Sequence, residues 1–166
     1  MIERLNTARA SALGTELHET AARNIRRGIR IMDHPEYPTL APYVNHAIDY
    51  GMVPEQTLFY TLNFFGTADA ISFDVYDDDE RFDGCLRIHD LKTGVNKVHM
   101  DQLYVYAAIF CLEYEIKPYR VDGELRIYQG HEILYEPIDR GILASAYSTI
   151  KAWDELIEQH RSGGLV

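Results

Sequence analysis

Asp69, Asp90 and Lys92 are the residues of this chain whose types and spacing suggest chemistry. Asp90 and Lys92 close the stretch Leu86-Arg87-Ile88-His89-Asp90-Leu91-Lys92-Thr93-Gly94. Apolar Leu86, Ile88 and Leu91, followed by the turn residues Thr93 and Gly94, read as a strand running into a turn. Successive strand residues point to opposite faces, so Asp90 and Lys92 project together and Leu91 turns away. An ionised carboxylate can hold a hard divalent cation through oxygen. An ammonium beside it can orient a nucleophilic water or neutralise charge developing on a phosphate. Asp69 lies on the preceding strand, in Gly66-Thr67-Ala68-Asp69-Ala70-Ile71, just after a glycine that lets a backbone or a ligand come close. Two carboxylates and a lysine at adjacent strand ends suit metal-assisted cleavage of a phosphodiester.

Two more pieces accompany this set. Gln102 and Tyr106, in Gln102-Leu103-Tyr104-Val105-Tyr106-Ala107, share one face of an expected helix. Upstream, Gly14 and His18 stand one helical turn apart in Gly14-Thr15-Glu16-Leu17-His18-Glu19. Asp-x-Lys alone says little. Gly-x-x-x-His on a helix, Gly-x-x-Asp, a strand ending Asp-Leu-Lys-Thr-Gly, and Gln-x-x-x-Tyr-Ala on a helix say much more in that order. With these motifs the chain resembles the PD-(D/E)xK nuclease superfamily, in its RecB-type exonuclease branch. It is similar to small phage-encoded exonucleases and to the CRISPR-adaptation nucleases, over about residues 11 to 136.

The resemblance implies a restriction-endonuclease-like core, with the active site at one edge of a mixed sheet. It implies that His18, Asp69, Asp90 and the backbone carbonyl of Leu91 coordinate Mg²⁺ or Mn²⁺. Lys92 would position the attacking water and stabilise the scissile phosphate. Gln102 and Tyr106 would orient Lys92 or touch the DNA backbone. The family often carries glutamate where Asp90 stands and accepts either acid. Carboxylate-rich ligation with one imidazole suits Mn²⁺ as well as Mg²⁺. The adaptation nucleases hold an iron–sulfur cluster with four cysteines. Cys85 and Cys111 are the two cysteines here, so no cluster is expected. The implied partners are DNA, a single-strand annealing or recombination protein, and further copies of the chain, since a ring-forming relative encloses DNA as a trimer.

The elements that must position these residues follow from periodicity. A helix is expected from Ser11, as N-cap, to Arg30, with Arg23, Arg26, Arg27 and Arg30 as a phosphate-contacting stripe or, equally, a solvated helix end. Residues 31–38 carry two prolines and read as a loop, and Leu40–Tyr50 as a second helix stopped by Gly51 and Pro54. Thr57–Phe64, Ala68–Val75 and Cys85–Leu91 read as antiparallel strands. Asp77-Asp78-Asp79-Glu80 between them is a solvated turn rather than a metal site. His89 is expected on the face opposite Asp90, and His46 as an ordinary helical histidine. His99–Glu115 is a helix with Leu103, Ala107, Phe110 and Tyr114 inward. Gly123–Gln129 and Glu132–Tyr135 form a hairpin. Asp139–His160 is a last helix with Ile142, Ala146, Ile150, Trp153 and Ile157 as its packing stripe, before a frayed Ser162-Gly163-Gly164. The sum is an α/β fold, a mixed central β-sheet flanked by helices.

The 166 residues suit a single domain that folds without staples. No apolar run reaches the ~20 residues needed to span a bilayer, and the N-terminus lacks a signal's apolar segment. A cytoplasmic protein with reduced thiols is the default. A net charge of −10 is awkward for holding DNA, because phosphate contacts need Lys and Arg. Bound cations, a concentrated basic face or a partner would each relieve it. The expected activity is a metal-dependent exonuclease acting on DNA ends. The alternatives are a structure- or sequence-specific endonuclease of the same fold and a catalytically inactive DNA- or protein-binding module.

Overall fold

The computed structural model describes residues 2–78 and 80–163, with side chains of the first helix described from Ser11 onward. Asp79 of the acidic run and Gly164 of the tail lie outside the described residues. The elements are α1 (Ile2–Arg27), α2 (Leu40–Asp49), β1 (Val53–Thr61), β2 (Phe64–Val75), β3 (Gly84–Lys92), α3 (Asp101–Glu113), β4 (Val121–Gln129), β5 (Glu132–Pro137) and α4 (Arg140–Gly163). The strands form a five-stranded sheet in the order β1-β2-β3-β4-β5. Every pairing is antiparallel except β3 with β4, which is parallel. A parallel pair needs a crossover, and α3 supplies it. The architecture is α/β, a mixed five-stranded sheet flanked by helices. Among the described residues no helix is long and apolar enough to cross a membrane.

Alternation along the strands divides the core between the two faces of the sheet. Leu86, Ile88, Leu125 and Ile127 pack with α3 and with Leu143 and Ile150 of α4. Leu91 and Tyr128 lie on the other side, with Ala21 and Ile25 of α1 and Tyr43, Val44 and Ala47 of α2. β3 is therefore buried from both faces, and this central strand is the one that ends in Asp90-Leu91-Lys92.

Several element boundaries differ from the sequence reading. α1 begins at Ile2 rather than at Ser11, because residues 2–10 contain no Gly or Pro to stop a helix, and Ser11 lies inside it. It ends at Arg27, not Arg30. Gly28 takes φ +64°, and the Gly28 and Ile29 amides fold back onto the Ile25 and Asn24 carbonyls. The first strand pair turns at Leu62 and Asn63, so Phe64 to Thr67 belong to β2. Asp154 of α4 holds that turn, accepting from Thr61 Oγ1 at 2.7 Å and Asn63 Nδ2 at 2.8 Å. The buried side of α4 is Leu143, Ile150 and Asp154, whereas Ile142 and Trp153 are exposed. Likewise Tyr114 of the α3 pattern is exposed, and Ser162 and Gly163 are still helical. Asp77, Asp78 and Glu80 are exposed, as expected for a solvated turn.

Candidate active site

The site forms where β2 and β3 part. Their ladder runs from Val75–Gly84 to Ala70–His89, and β3 then continues to Lys92 beside β4 alone. A strand that loses a neighbour leaves backbone donors to be satisfied. Here Asp69 does so, one carboxylate oxygen accepting from the Leu91 amide at 2.9 Å. Asp69 is skipped by the β1–β2 ladder too, which passes through Ala68–Gln56 and Ala70–Pro54. The residue across from it, Glu55, has φ 53°. Asp69 thus sits at an irregularity on both of its strand's edges, which turns its side chain toward β3.

Asp90 and Lys92 share a face, as their spacing requires. Lys92 Nζ lies 3.1 Å from Asp90 Oδ1, to which it donates, and 3.0 Å from Oδ2. Both oxygens of the buried Asp90 carboxylate are thus met by the one ammonium. Lys92 donates also to Gln102 Oε1 at 3.1 Å, and Gln102 Nε2 donates to Tyr106 Oη at 2.9 Å. Asp90, Lys92, Gln102 and Tyr106 are therefore one hydrogen-bonded chain reaching from the end of β3 along the first turns of α3. From the other side, His18 Nδ1 stands 3.5 Å from Asp69 Oδ2.

Two glycines let these elements close on each other. A Cβ on Gly66 would lie 2.7 Å from the Tyr106 ring, and one on Gly14 would lie 2.7 Å from Thr93 Oγ1. Both are sites of close approach: Gly66 admits Tyr106 to the sheet, and Gly14 seats α1 on the turn that follows Lys92.

The electrostatics favour a cation. Burial, and then the charge of Asp90, push the Asp69 carboxyl up to about 6, against the pull of His18, the Leu91 amide and Lys92. Asp69 and Asp90 together form the oxygen-rich kind of pair that a hard divalent ion takes. Among the described residues no three His, Cys, Asp or Glu side chains are gathered closely enough to enclose one. The Lys92 ammonium lies against the Asp90 carboxylate instead.

Of the arginines expected as a stripe, Arg23, Arg26 and Arg27 lie in the last turns of α1 at i, i+3 and i+4, whereas Arg30 lies beyond its end. Arg26 pairs with Glu55 at 2.6 Å and Arg30 with Asp49. Arg23 and Arg27 are exposed, and Arg23 donates to Thr20 Oγ1 at 3.2 Å.

The sequence reading missed a polar cluster on the reverse face of β3. His89 is fully buried, its Nε2 3.1 Å from Glu124 Oε1 and its Nδ1 3.2 Å from the Tyr128 hydroxyl. That hydroxyl lies 2.9 Å from His46 Nδ1. Arg126 donates to Glu124 Oε2 at 3.0 Å and to the Tyr50 hydroxyl at 3.2 Å. The available signal was the alternation Glu124, Arg126, Tyr128, three polar side chains on one face of one strand. Their partners, His89 and His46, come from elements far away in the chain and leave no local pattern. In comparison with known proteins, no protein-family model, no curated protein and no solved structure matches this chain.

Proposed function

We propose that this protein is a metal-dependent deoxyribonuclease with a PD-(D/E)xK core, an exonuclease acting at DNA ends in phage recombination or replication. The observation that carries the reading is the chain Asp90–Lys92–Gln102–Tyr106 lying beside a second, half-buried acid, Asp69. A structural ion pair needs only two of these groups. Here a lysine is held from two sides, and the amide that holds it is itself fixed by a tyrosine hydroxyl.

In this reading Asp90 and Gln102 aim the Lys92 ammonium at the scissile phosphate, where its charge stabilises the negative charge that develops. The Tyr106 hydroxyl oxygen accepts a hydrogen bond from the Gln102 amide nitrogen and so leaves the Gln102 carbonyl facing Lys92. Asp69 fixes the end of β3 through the Leu91 amide while presenting its charge next to Asp90. A divalent cation, Mg²⁺ or Mn²⁺, held by His18, Asp69, Asp90 and the Leu91 carbonyl would neutralise the phosphodiester and acidify an attacking water. The chain works without an iron–sulfur cluster. Arg23 and Arg27, with Arg26 and Arg30 once released from their acids, offer contacts to the DNA backbone.

The test is digestion of linear and circular DNA, labelled at the 5′ or 3′ end, with Mg²⁺, with Mn²⁺ and with EDTA. Loss of linear DNA with either metal, with circular duplex left intact and EDTA blocking the reaction, is the expected result. Cleavage of the circle assigns an endonuclease on the same site. DNA that is bound but never cut under any condition leaves a non-catalytic module and overturns the proposal.

A further inference from the structure

Next to Lys92, between α1, the 33–39 loop and the turn after β3, lies a cavity of about 190 Å³. Leu17, Leu40 and Leu91 give it apolar walls and Tyr37 an aromatic one, while Glu36 and Thr39 add polar groups. The loop carrying Tyr37 is held in place. The His34 ring stacks on Tyr37 with centroids 5.4 Å apart and planes 29° apart. His34 Nδ1 accepts from the Glu36 amide at 3.2 Å, and the Tyr37 carbonyl accepts from the Leu40 amide at 3.0 Å. Leu91 and Lys92 line the cavity and also end the acid-bearing strand, so cavity and site share one wall.

Sites for drug-sized ligands run to roughly 300–1,000 Å³, so this one is too small for a nucleotide with its sugar and phosphate. It suits a single planar ring system with an apolar face and a polar edge. We propose that it receives one unpaired nucleobase of the strand whose phosphate is at Asp90 and Lys92. The base stacks on Tyr37 against the leucines and turns its edge toward Glu36 and Thr39. This rests on the nuclease reading and narrows its substrate to a strand with a free base beside the cut: a frayed end, an overhang or a flipped nucleotide. A base inside a stacked duplex must first be extruded.

The experiment uses single-stranded oligonucleotides carrying 2-aminopurine at successive positions and a dye at the far end. They are titrated with wild-type protein in EDTA and with Lys92→Ala in Mg²⁺. Dye anisotropy reports binding, and 2-aminopurine emission reports the surroundings of the base. The expected result is an emission change confined to one position. Tyr37→Ala abolishes it and weakens binding by roughly 5- to 100-fold, the scale of one lost base–aromatic stack. Tyr37→Phe retains it, and Leu17→Trp, which fills the cavity from α1, also removes it. Wild-type protein in Mg²⁺ is run alongside to read cleavage: binding and cleavage without a position-specific change, or an unaltered change in Tyr37→Ala, overturn the base pocket and leave the nuclease reading standing. No binding and no cleavage overturn both.

Discussion

Lys92 is held between a carboxylate and an amide at 3.1 Å each, so its ammonium has one position to occupy rather than many. That preorganisation is what electrostatic catalysis requires. Lys92→Ala should stay folded and still bind DNA, while cleavage falls by roughly 10²–10³, the scale for removing one such group. Lys92→Arg should not restore it, because a broad planar guanidinium cannot replace a point-like ammonium between two fixed acceptors. Wild-type cleavage rates in Lys92→Ala with both metals would remove the main support for the nuclease reading. Gly66 gives a second test at this scale. Gly66→Ala drives a methyl into the Tyr106 ring, shifts Gln102 and should slow cleavage by up to ~10²-fold with a near-normal melting temperature. Gly163→Ala, at the far end of α4, meets nothing within 4 Å and is the neutral control. The meeting of Asp90, Lys92, Gln102 and Tyr106 was readable from spacing, since two-residue and four-residue separations fix a common face on a strand and a helix. The Asp69–Leu91 hydrogen bond was not. It depends on where two strands separate, and no periodicity records that.

At the level of elements, β3 carries Asp90 and Lys92 on one face and, on the other, His89, which joins Glu124 and Arg126 of β4 in a polar cluster. Burial opposes ionisation of Glu124, and hydrogen bonds from His89 and Arg126 outweigh it, bringing the carboxyl down to about 2. A carboxyl depressed in the folded state adds stability above its unfolded value, 4.5, and loses it as pH falls toward about 2. Glu124→Gln should therefore cost on the order of 2 kcal/mol in urea unfolding at pH 7, with the gap to wild type shrinking steadily below about pH 4.5. A pH-independent gap would show that the cluster contributes packing rather than charge. The helices and strands themselves were legible, because periods of two and 3.6 persist along most of the chain. Errors came where tertiary contacts rotated a helix. α4 buries Asp154 because the β1–β2 turn offers it Thr61 and Asn63, and a hydrophobicity pattern cannot anticipate an acid turned inward by its partners.

For the whole molecule, the question posed by a net charge of −10 is where the cations go. Many are already engaged: Arg26, Arg30, Arg87, Arg120 and Arg126 each pair with an acid. In the proposed function the hold on DNA would come from the divalent ion and from few basic side chains, so affinity should fall when metal is withdrawn but depend only weakly on salt, because few phosphates are neutralised. The β2–β3 hairpin has a practical consequence. Its acidic turn and the parted end that bears Asp69 and Asp90 are separated by the full length of the ladder, from Val75–Gly84 to Ala70–His89. Six antiparallel rungs hold the two acids in register from below, roughly 17–20 Å away from the turn. Between the exposed Asp77 and Asp78 the chain can accept an inserted peptide tag or a tethering handle. The protein can then be fixed to a bead or slide by its blunt end, with the end that bears Asp69 and Asp90 left free, so that the proposed cleavage can be watched on a single stretched molecule.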